Sequence, residues 1–136
     1  MSDDNTRVVW EFLEEVVNKH DPEARPDLIA VGYMAHFGAM PALDHESWKP
    51  MARAYFTAFP DLELTIEDEF ADGDKVTVRW TWTGTHKGDL MSIPATGKLF
   101  ATAGMGSYRV VSGQIAEESV FEDMLGVFQQ LGALTS

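Results

Sequence analysis

A change in hydrophobic spacing at Leu62 is the strongest constraint on how this chain can fold. Before Leu62 the apolar residues recur every three or four positions, which predicts helices with one buried face. From Leu62 onward apolar and polar residues alternate, which predicts strands that bury one side. The dipeptides Asp72-Gly73 and Ser112-Gly113 are typical of turns between paired strands. Helices followed by hairpin-connected strands predict an α+β domain.

The length of 136 residues predicts one domain that spans residues 1–136. We expect three N-terminal helices, namely one within the first 20 residues, a short one over residues 27–31, and one that Pro60 ends. Four strands and a tail helix follow, over residues 62–67, 76–83, 99–111, 114–122 and 123–131. The three helices should pack on the concave face of a curved antiparallel sheet and leave a cavity between the layers.

The charge of the chain argues against two classes of partner. Its formal charge of −12 would be repelled by nucleic acid and by anionic membranes, so we expect neither. The N-terminus has no apolar signal-peptide core, and no apolar run approaches the roughly 20 residues of a membrane span. Cysteine is absent, which fits a cytoplasmic location, and the four histidines form no HxH or HxxxH pair, so we expect no metal site.

Aromatic residues indicate an apolar pocket. Trp80 and Trp82 share one face of a predicted strand. We expect them to line an interior space together with three others, which are Tyr108 on the adjacent strand and Trp48 and Tyr55 on the third helix. Walls of this kind suit a flat, apolar ligand. Ordinary core packing is the alternative for each residue.

Two glycines bear on the same space. Gly104 and Gly106 are spaced by two on one predicted strand, so they remove two side chains from one of its faces. A bound ligand, an opposing tryptophan or a bend in the sheet could each account for the missing volume.

Five short motifs in register identify a family. They are Ala58-Phe59-Pro60-Asp61-Leu62, Gly84-Thr85-His86-Lys87-Gly88, Ile93-Pro94-Ala95-Thr96-Gly97-Lys98, Arg109 before Gly113-Gln114-Ile115, and Gln130-Leu131-Gly132. From about residue 7 to residue 131 the chain resembles the SnoaL-like polyketide cyclases, or ester cyclases, of the nuclear transport factor two-like superfamily. The resemblance implies a cone-shaped fold around a small-molecule cavity, no cofactor, and a homo-oligomer, which we expect to be a dimer.

The resemblance also locates the catalytic groups of the family. Its acidic residue falls at Val120, and its helping polar groups fall at Gly104 and Gly106. None of these three residues can transfer a proton, so the usual ring-closing mechanism does not carry over. If position 120 faces the cavity, alternation turns Glu118 and Glu122 inward as well. We select Glu118 as a catalytic residue because it lies deeper along the strand, where burial would raise its pKa. An exposed Glu118 on a twisted strand is the alternative.

A histidine is the second catalytic candidate. His36 lies between the second and third predicted helices, where many relatives carry a histidine that faces the cavity. We count Tyr33, three residues earlier, as a ligand contact. A loop histidine satisfied by the backbone is the alternative for His36. We expect His86 to stabilise a turn and Asp123 to cap the tail helix.

These observations leave three functions open. The first is a cofactor-free cyclase, isomerase or lyase that acts on a hydrophobic small molecule by proton transfer through His36 and Glu118. The second is a module that binds a small hydrophobic ligand without changing it, which the loss of the acid at Val120 favours. The third and weakest is a dimerisation domain.

Overall fold

The computed structural model of the chain describes residues 2–133. Its helices are α1, Ser2–Phe12, which continues as a π-helix over Leu13–Val17, then α2, His45–Ala58, and α3, Met124–Leu131, with a 3-10 turn at Pro26–Leu28. Its strands are β1, Ile29–Phe37, β2, Glu63–Asp72, β3, Lys75–Thr85, β4, Leu99–Val111, and β5, Gln114–Glu122. The predicted α+β class is confirmed. Among the described residues, every helix is too short or too polar to cross a bilayer.

The five strands form one sheet in the order β1-β5-β4-β3-β2. Strands β2 to β5 are joined as antiparallel neighbours, whereas β1 pairs with β5 in parallel. The sheet is therefore mixed rather than antiparallel throughout. It is also open, with β1 and β2 as its two edges, so the cone-shaped fold that the resemblance implies is not a closed barrel.

The predicted short helix over residues 27–31 is wrong. Only Pro26–Leu28 form a 3-10 turn, and β1 begins at Ile29. The cause is not local, because β1 is held by backbone pairing with β5, a strand almost 90 residues later in the chain. The third helix is consequently the C-terminal α3, and two helices rather than three precede the sheet's hairpins.

The helices bury apolar stripes against one face of the sheet, which we call the inner face. Val9, Phe12, Leu13 and Val16 of α1 and its π-helical extension are almost fully buried. Asp44 caps α2 by accepting a hydrogen bond from the Ser47 N–H at 2.8 Å. Such caps satisfy backbone donors that a helix start leaves free.

The tail helix begins at the N-cap that its sequence predicts and ends at a glycine. The Asp123 side chain accepts a hydrogen bond from the Gly126 N–H at 2.9 Å, so Asp123 is an N-cap. Gly132 has a φ of 74° and serves as the C-cap, a left-handed conformation that glycine adopts without steric cost.

Trp80 occupies the volume that the two glycines of β4 leave open. A Cβ atom added to Gly106 would lie 2.7 Å from the Tyr108 ring and 2.8 Å from the Trp80 ring. A Cβ atom on Gly104 would lie 2.5 Å from Trp80 Nε1 and would overlap the carboxyl of Glu122. Of the three explanations that the sequence leaves open, the opposing tryptophan is therefore the one found.

We predict that Gly106→Ala lowers the free energy of unfolding by about 1–3 kcal/mol, because the added methyl group forces two rigid rings apart. Gly32→Ala is the matched control, since a Cβ atom at Gly32 of β1 would meet nothing within 4 Å. Urea denaturation of both variants and the parent measures the difference. Equal stability of the two variants would show that Trp80 does not depend on a bare backbone at Gly106.

Candidate functional site

A pocket of about 120 Å³ lies between the helices and the inner face of the sheet. Its walls are mostly aromatic and aliphatic, with two carboxyl groups as the charged members. The lining residues are Phe12, Leu13, Val17, Phe37, Trp48, Met51, Ala52, Tyr55, Phe56, Leu62, Leu64, Trp80, Trp82, Tyr108, Glu118, Val120 and Glu122. No lysine, arginine or histidine of the described chain is among them, so nothing in the pocket wall neutralises the two carboxyl groups.

Most of the predicted ligand contacts lie on this pocket. Its lining includes Trp48, Tyr55, Trp80, Trp82, Tyr108 and Val120, together with Glu118. Tyr33, Gly104 and Gly106 are not part of the wall. Tyr33 is buried behind Glu118, and the two glycines lie beneath the ring of Trp80.

Strand register explains why both carboxyl groups reach the pocket. On β4 and β5, Tyr108 pairs with Glu118, Gly106 with Val120, and Gly104 with Glu122. Side chains two residues apart on a strand point to the same face. Glu118, Val120 and Glu122 therefore all point to the inner face, and Trp80 packs over the glycines opposite Val120 and Glu122.

Glu118 is buried beside two tyrosines, Tyr33 and Tyr108, and is hydrogen-bonded to the first of them. Only 3% of the residue is exposed, and the Tyr33 hydroxyl donates a hydrogen bond to Glu118 Oε1. Burial raises the pKa of the Glu118 carboxyl, while the hydroxyls of Tyr33 and Tyr108 act in the opposite direction. The same burial, with the carboxyl nearby, raises the pKa of both tyrosines well above its usual value. The hydrogen bond from Tyr33 holds the Glu118 side chain in one orientation.

Glu122 has a pKa close to the range in which enzymes work. Burial raises the pKa of its carboxyl to about 8, and the charge of Glu118 adds to the rise. The indole N–H of Trp80 donates to Glu122 Oε2 at 3.3 Å, which works against the rise. In the described part of the chain the other oxygen, Oε1, makes no hydrogen bond. The sequence places Glu122 on the inner face but gives no reason to prefer it over Glu118.

His36 does not share the pocket with Glu118. In the parallel pairing of β1 with β5, Ala35 lies opposite Glu118 and His36 lies opposite Ser119. The His36 side chain is on the outer face of the sheet, half exposed, with Nε2 3.2 Å from Glu117 Oε2. Arg109 lies 3.5 Å from the other oxygen of Glu117. The geometry therefore separates the two residues that the sequence analysis combines in one reaction.

His86 holds a loop rather than facing the pocket. It is fully buried, and its Nδ1 accepts a hydrogen bond from the Thr96 N–H at 3.2 Å. The backbone N–H of His86 donates to the Lys98 carbonyl, and its carbonyl accepts from the Gly97 N–H. The ring and backbone thus join the two ends of the loop between β3 and β4. Among residues 2–133, no cluster of three or more acidic or histidine side chains could hold a metal ion.

Several pocket residues escape prediction from the sequence. Phe37 lies on the strand that the sequence analysis does not predict, and Leu13 and Val17 belong to the π-helical turn after α1. Met51 and Phe56 are on α2, where helical spacing marks them as core without showing that a pocket opens beside them. A π-turn is rare and often lies near functional sites. Its presence here widens the helix at the pocket wall.

Comparison with known proteins agrees with this architecture. The family model for the SnoaL-like polyketide cyclases matches residues 7–131. The aklanonic acid methyl ester cyclase DauD of Streptomyces sp. (strain C5) is 34% identical over 126 residues, which are 92% of this chain and 67% of that protein. The aklanonic acid methyl ester cyclase DnrD of Streptomyces peucetius is 34% identical over 123 residues, which are 90% of this chain and 72% of that protein.

Solved structures show the same fold. TsrD from Streptomyces laurentii superposes with a TM-score of 0.86 at 27% identity, covering 98% of each chain. A SnoaL-like protein from Jannaschia sp. CCS1 gives a TM-score of 0.90 at 22% identity, covering 98% of this chain and 95% of the other. Family match, sequence identity and fold agree, and the chain therefore belongs to the SnoaL-like polyketide cyclase family, whose members act on small molecules.

Proposed function

We propose that this protein is an enzyme that transfers a proton to and from a small hydrophobic carbonyl compound, with Glu122 as the proton-transferring group. The observation that supports it most is a carboxyl group with a pKa of about 8 in the wall of an aromatic pocket. A general base or acid works best when its pKa lies near the working pH. The two relatives named above are cyclases of a methyl ester, a carbonyl compound.

Glu122 suits this role better than Glu118 for a geometric reason. Glu118 accepts a hydrogen bond from Tyr33 and is packed among buried side chains. Glu122 is bound through one oxygen only, by Trp80, so its second oxygen is available for a substrate proton. Both carboxyls lie two residues from Val120, which is roughly 6–7 Å along an extended strand. The proton-transferring group would thus be shifted along β5 from the position that the family uses.

The chemistry needs no group beyond the chain. The Glu122 carboxylate takes a proton from the carbon next to the substrate carbonyl, and the electron pair of that C–H bond moves into an enolate. Return of the proton to another atom of the enolate completes an isomerisation. Alternatively, the enolate attacks a second carbonyl of the same molecule and closes a ring, and the Glu122 proton passes to the alkoxide oxygen that forms. Aromatic walls exclude water and hold the reacting carbon near the carboxylate.

Deuterium exchange tests the proton transfer without knowledge of the natural substrate. We predict that the protein accelerates exchange at the carbon next to the carbonyl of cyclohexanone in D₂O, above the buffer rate. Because the base must be ionised, the accelerated rate should rise about tenfold per pH unit and level off near the pKa of about 8. Glu122→Gln should lower it by roughly 10²- to 10⁴-fold. NMR follows the loss of the proton signal.

Controls for this experiment lie on the same strand and its neighbour. Glu117→Gln changes a carboxyl on the outer face of β5 and should leave exchange unchanged, as should His36→Asn on β1. A loss of exchange in His36→Asn would instead support His36 as a catalytic residue, as the sequence analysis expects. A loss in Glu118→Gln with full activity in Glu122→Gln would make Glu118 the base. Tight binding of ketones without any exchange would favour the alternative function, a non-catalytic binding module.

The raised pKa of Glu122 also predicts how stability depends on pH. Its folded-state pKa of about 8 lies above the ordinary value of 4.5, so the folded protein binds this proton more tightly than the unfolded chain. The resulting stabilisation is complete below pH 4.5 and is lost as the pH rises through about 8. We predict that between pH 5 and 8 the parent loses roughly 3 kcal/mol more unfolding free energy than Glu122→Gln, whose amide stays neutral.

Urea denaturation at several pH values measures this effect. Glu117→Gln makes the same chemical change at a half-exposed carboxyl on the outer face of β5 and is the matched control. Parallel curves for Glu122→Gln and the parent would show that Glu122 is already ionised at neutral pH. The expected homodimer, the absence of nucleic-acid and membrane partners and the cytoplasmic location remain predictions.

A further inference from the structure

Two buried polar groups of the pocket wall make no hydrogen bond by the geometry of the described residues, the Tyr108 hydroxyl, which lies against Glu118, and the indole N–H of Trp82. Trp82 lines the pocket and is only 5% exposed. Its indole N–H is buried and makes no hydrogen bond to any residue that the structure describes. A buried donor without an acceptor is costly and uncommon in folded proteins, so each such donor calls for an explanation. For a donor in a pocket wall, the simplest explanation is that an acceptor atom of a bound ligand completes the hydrogen bond.

The neighbouring Trp80 is the comparison, because its indole N–H does have a hydrogen-bond acceptor. Trp80 lies two residues earlier on the same face of β3, and its N–H is committed to Glu122 at 3.3 Å. Trp82 has no such acceptor, although its ring is held firmly. The Phe100 ring meets it edge-on with centroids 4.7 Å apart, and the Tyr55 ring lies 6.3 Å away. The direction of the Trp82 N–H is therefore set before a ligand arrives.

The volume of the pocket limits what can be enclosed. An apolar cavity of about 150 Å³ engineered into another protein holds one benzene molecule. The present pocket of about 120 Å³ has room for a single six-membered ring of similar size. Side chains at the edge of the pocket, such as Met51 and Tyr55, are only partly buried, so a larger molecule would have to extend past them into solvent.

We propose that Trp82 determines specificity: its indole N–H binds the carbonyl oxygen of a ligand whose enclosed part is no larger than one six-membered ring. The inference rests on the proposed function in that it concerns the same pocket, yet it requires binding only and no turnover. The proposal gives the two indole donors of β3 different roles, since Trp80 positions Glu122 and Trp82 orients the ligand.

Two probes of equal shape separate the hydrogen bond from the packing. Cyclohexanone and methylenecyclohexane differ only in a C=O group against a C=CH₂ group. We expect Trp82→Phe to lower the ratio of cyclohexanone to methylenecyclohexane affinity about tenfold, as loss of one hydrogen bond implies. Trp10→Phe, at an exposed tryptophan of α1, and Thr102→Val, at the Cα partner of Trp82 on β4, should leave the ratio unchanged. Ligand-observed NMR titration gives both affinities.

A second measurement uses the unmodified protein, in case Trp82→Phe does not fold. The Trp82 indole proton resonance should move downfield when cyclohexanone is added and should not do so with methylenecyclohexane. The proposal is overturned if both probes lose affinity equally in Trp82→Phe, if cyclohexanone binds without moving that resonance, or if neither probe binds the parent. Full enclosure of the two-ring ketone 2-decalone with equal affinity would overturn the size limit.

The outcome is independent of the proposed reaction. Ketone preference is a ratio of two binding constants and requires no proton transfer, whereas deuterium exchange is a rate that requires it. Ketone preference without deuterium exchange would retain the role of Trp82 and reject the enzyme. Deuterium exchange without ketone preference would support the enzyme and reject the role of Trp82.

Discussion

The packing of Trp80 across Gly104 and Gly106 is the contact on which the site depends. The ring fills the space that two missing side chains leave on β4, and Cβ atoms there would collide with it. From that position its N–H reaches Glu122 on the next strand. The same ring forms part of the pocket wall. One aromatic side chain thus joins three strands, closes one side of the pocket and sets the local environment of a carboxyl group.

Glu118 and Glu122 are the same type of residue, but their surroundings give them different hydrogen-bond partners. Glu118 is enclosed by tyrosines and bonded by Tyr33, whereas Glu122 contacts a single indole and keeps one oxygen free. In both, burial is the main cause of the raised pKa, because an ionised carboxylate is poorly stabilised in an apolar space. Their shared position on β5, on either side of Val120, places two carboxyl groups beside the position to which the family resemblance assigns the acid.

The parallel pairing of β1 with β5 decides which predicted residues can cooperate. It brings Tyr33 to Glu118, a contact between residues 85 positions apart. It also turns His36 to the outer face, where the side chain meets Glu117. A shift of the pairing by one residue would exchange these faces. The separation of His36 from Glu118 is therefore a consequence of strand register and not of distance along the chain.

Local patterns in the sequence were enough to determine the α+β class, the helix cap at Asp123, the four hairpin strands, and the shared face of Trp80 and Trp82, whereas the inward side of Glu118 and Val120 followed from the family resemblance. The locally determined features depend on spacing, turn residues and capping, which act over a few residues. Only the tertiary structure decided that Ile29–Phe37 is a strand, that Trp80 fills the gap over the glycines, and that His36 lies outside the pocket. The physical reason is that strand pairing, burial and side-chain packing join residues far apart in sequence, and no local pattern records those contacts.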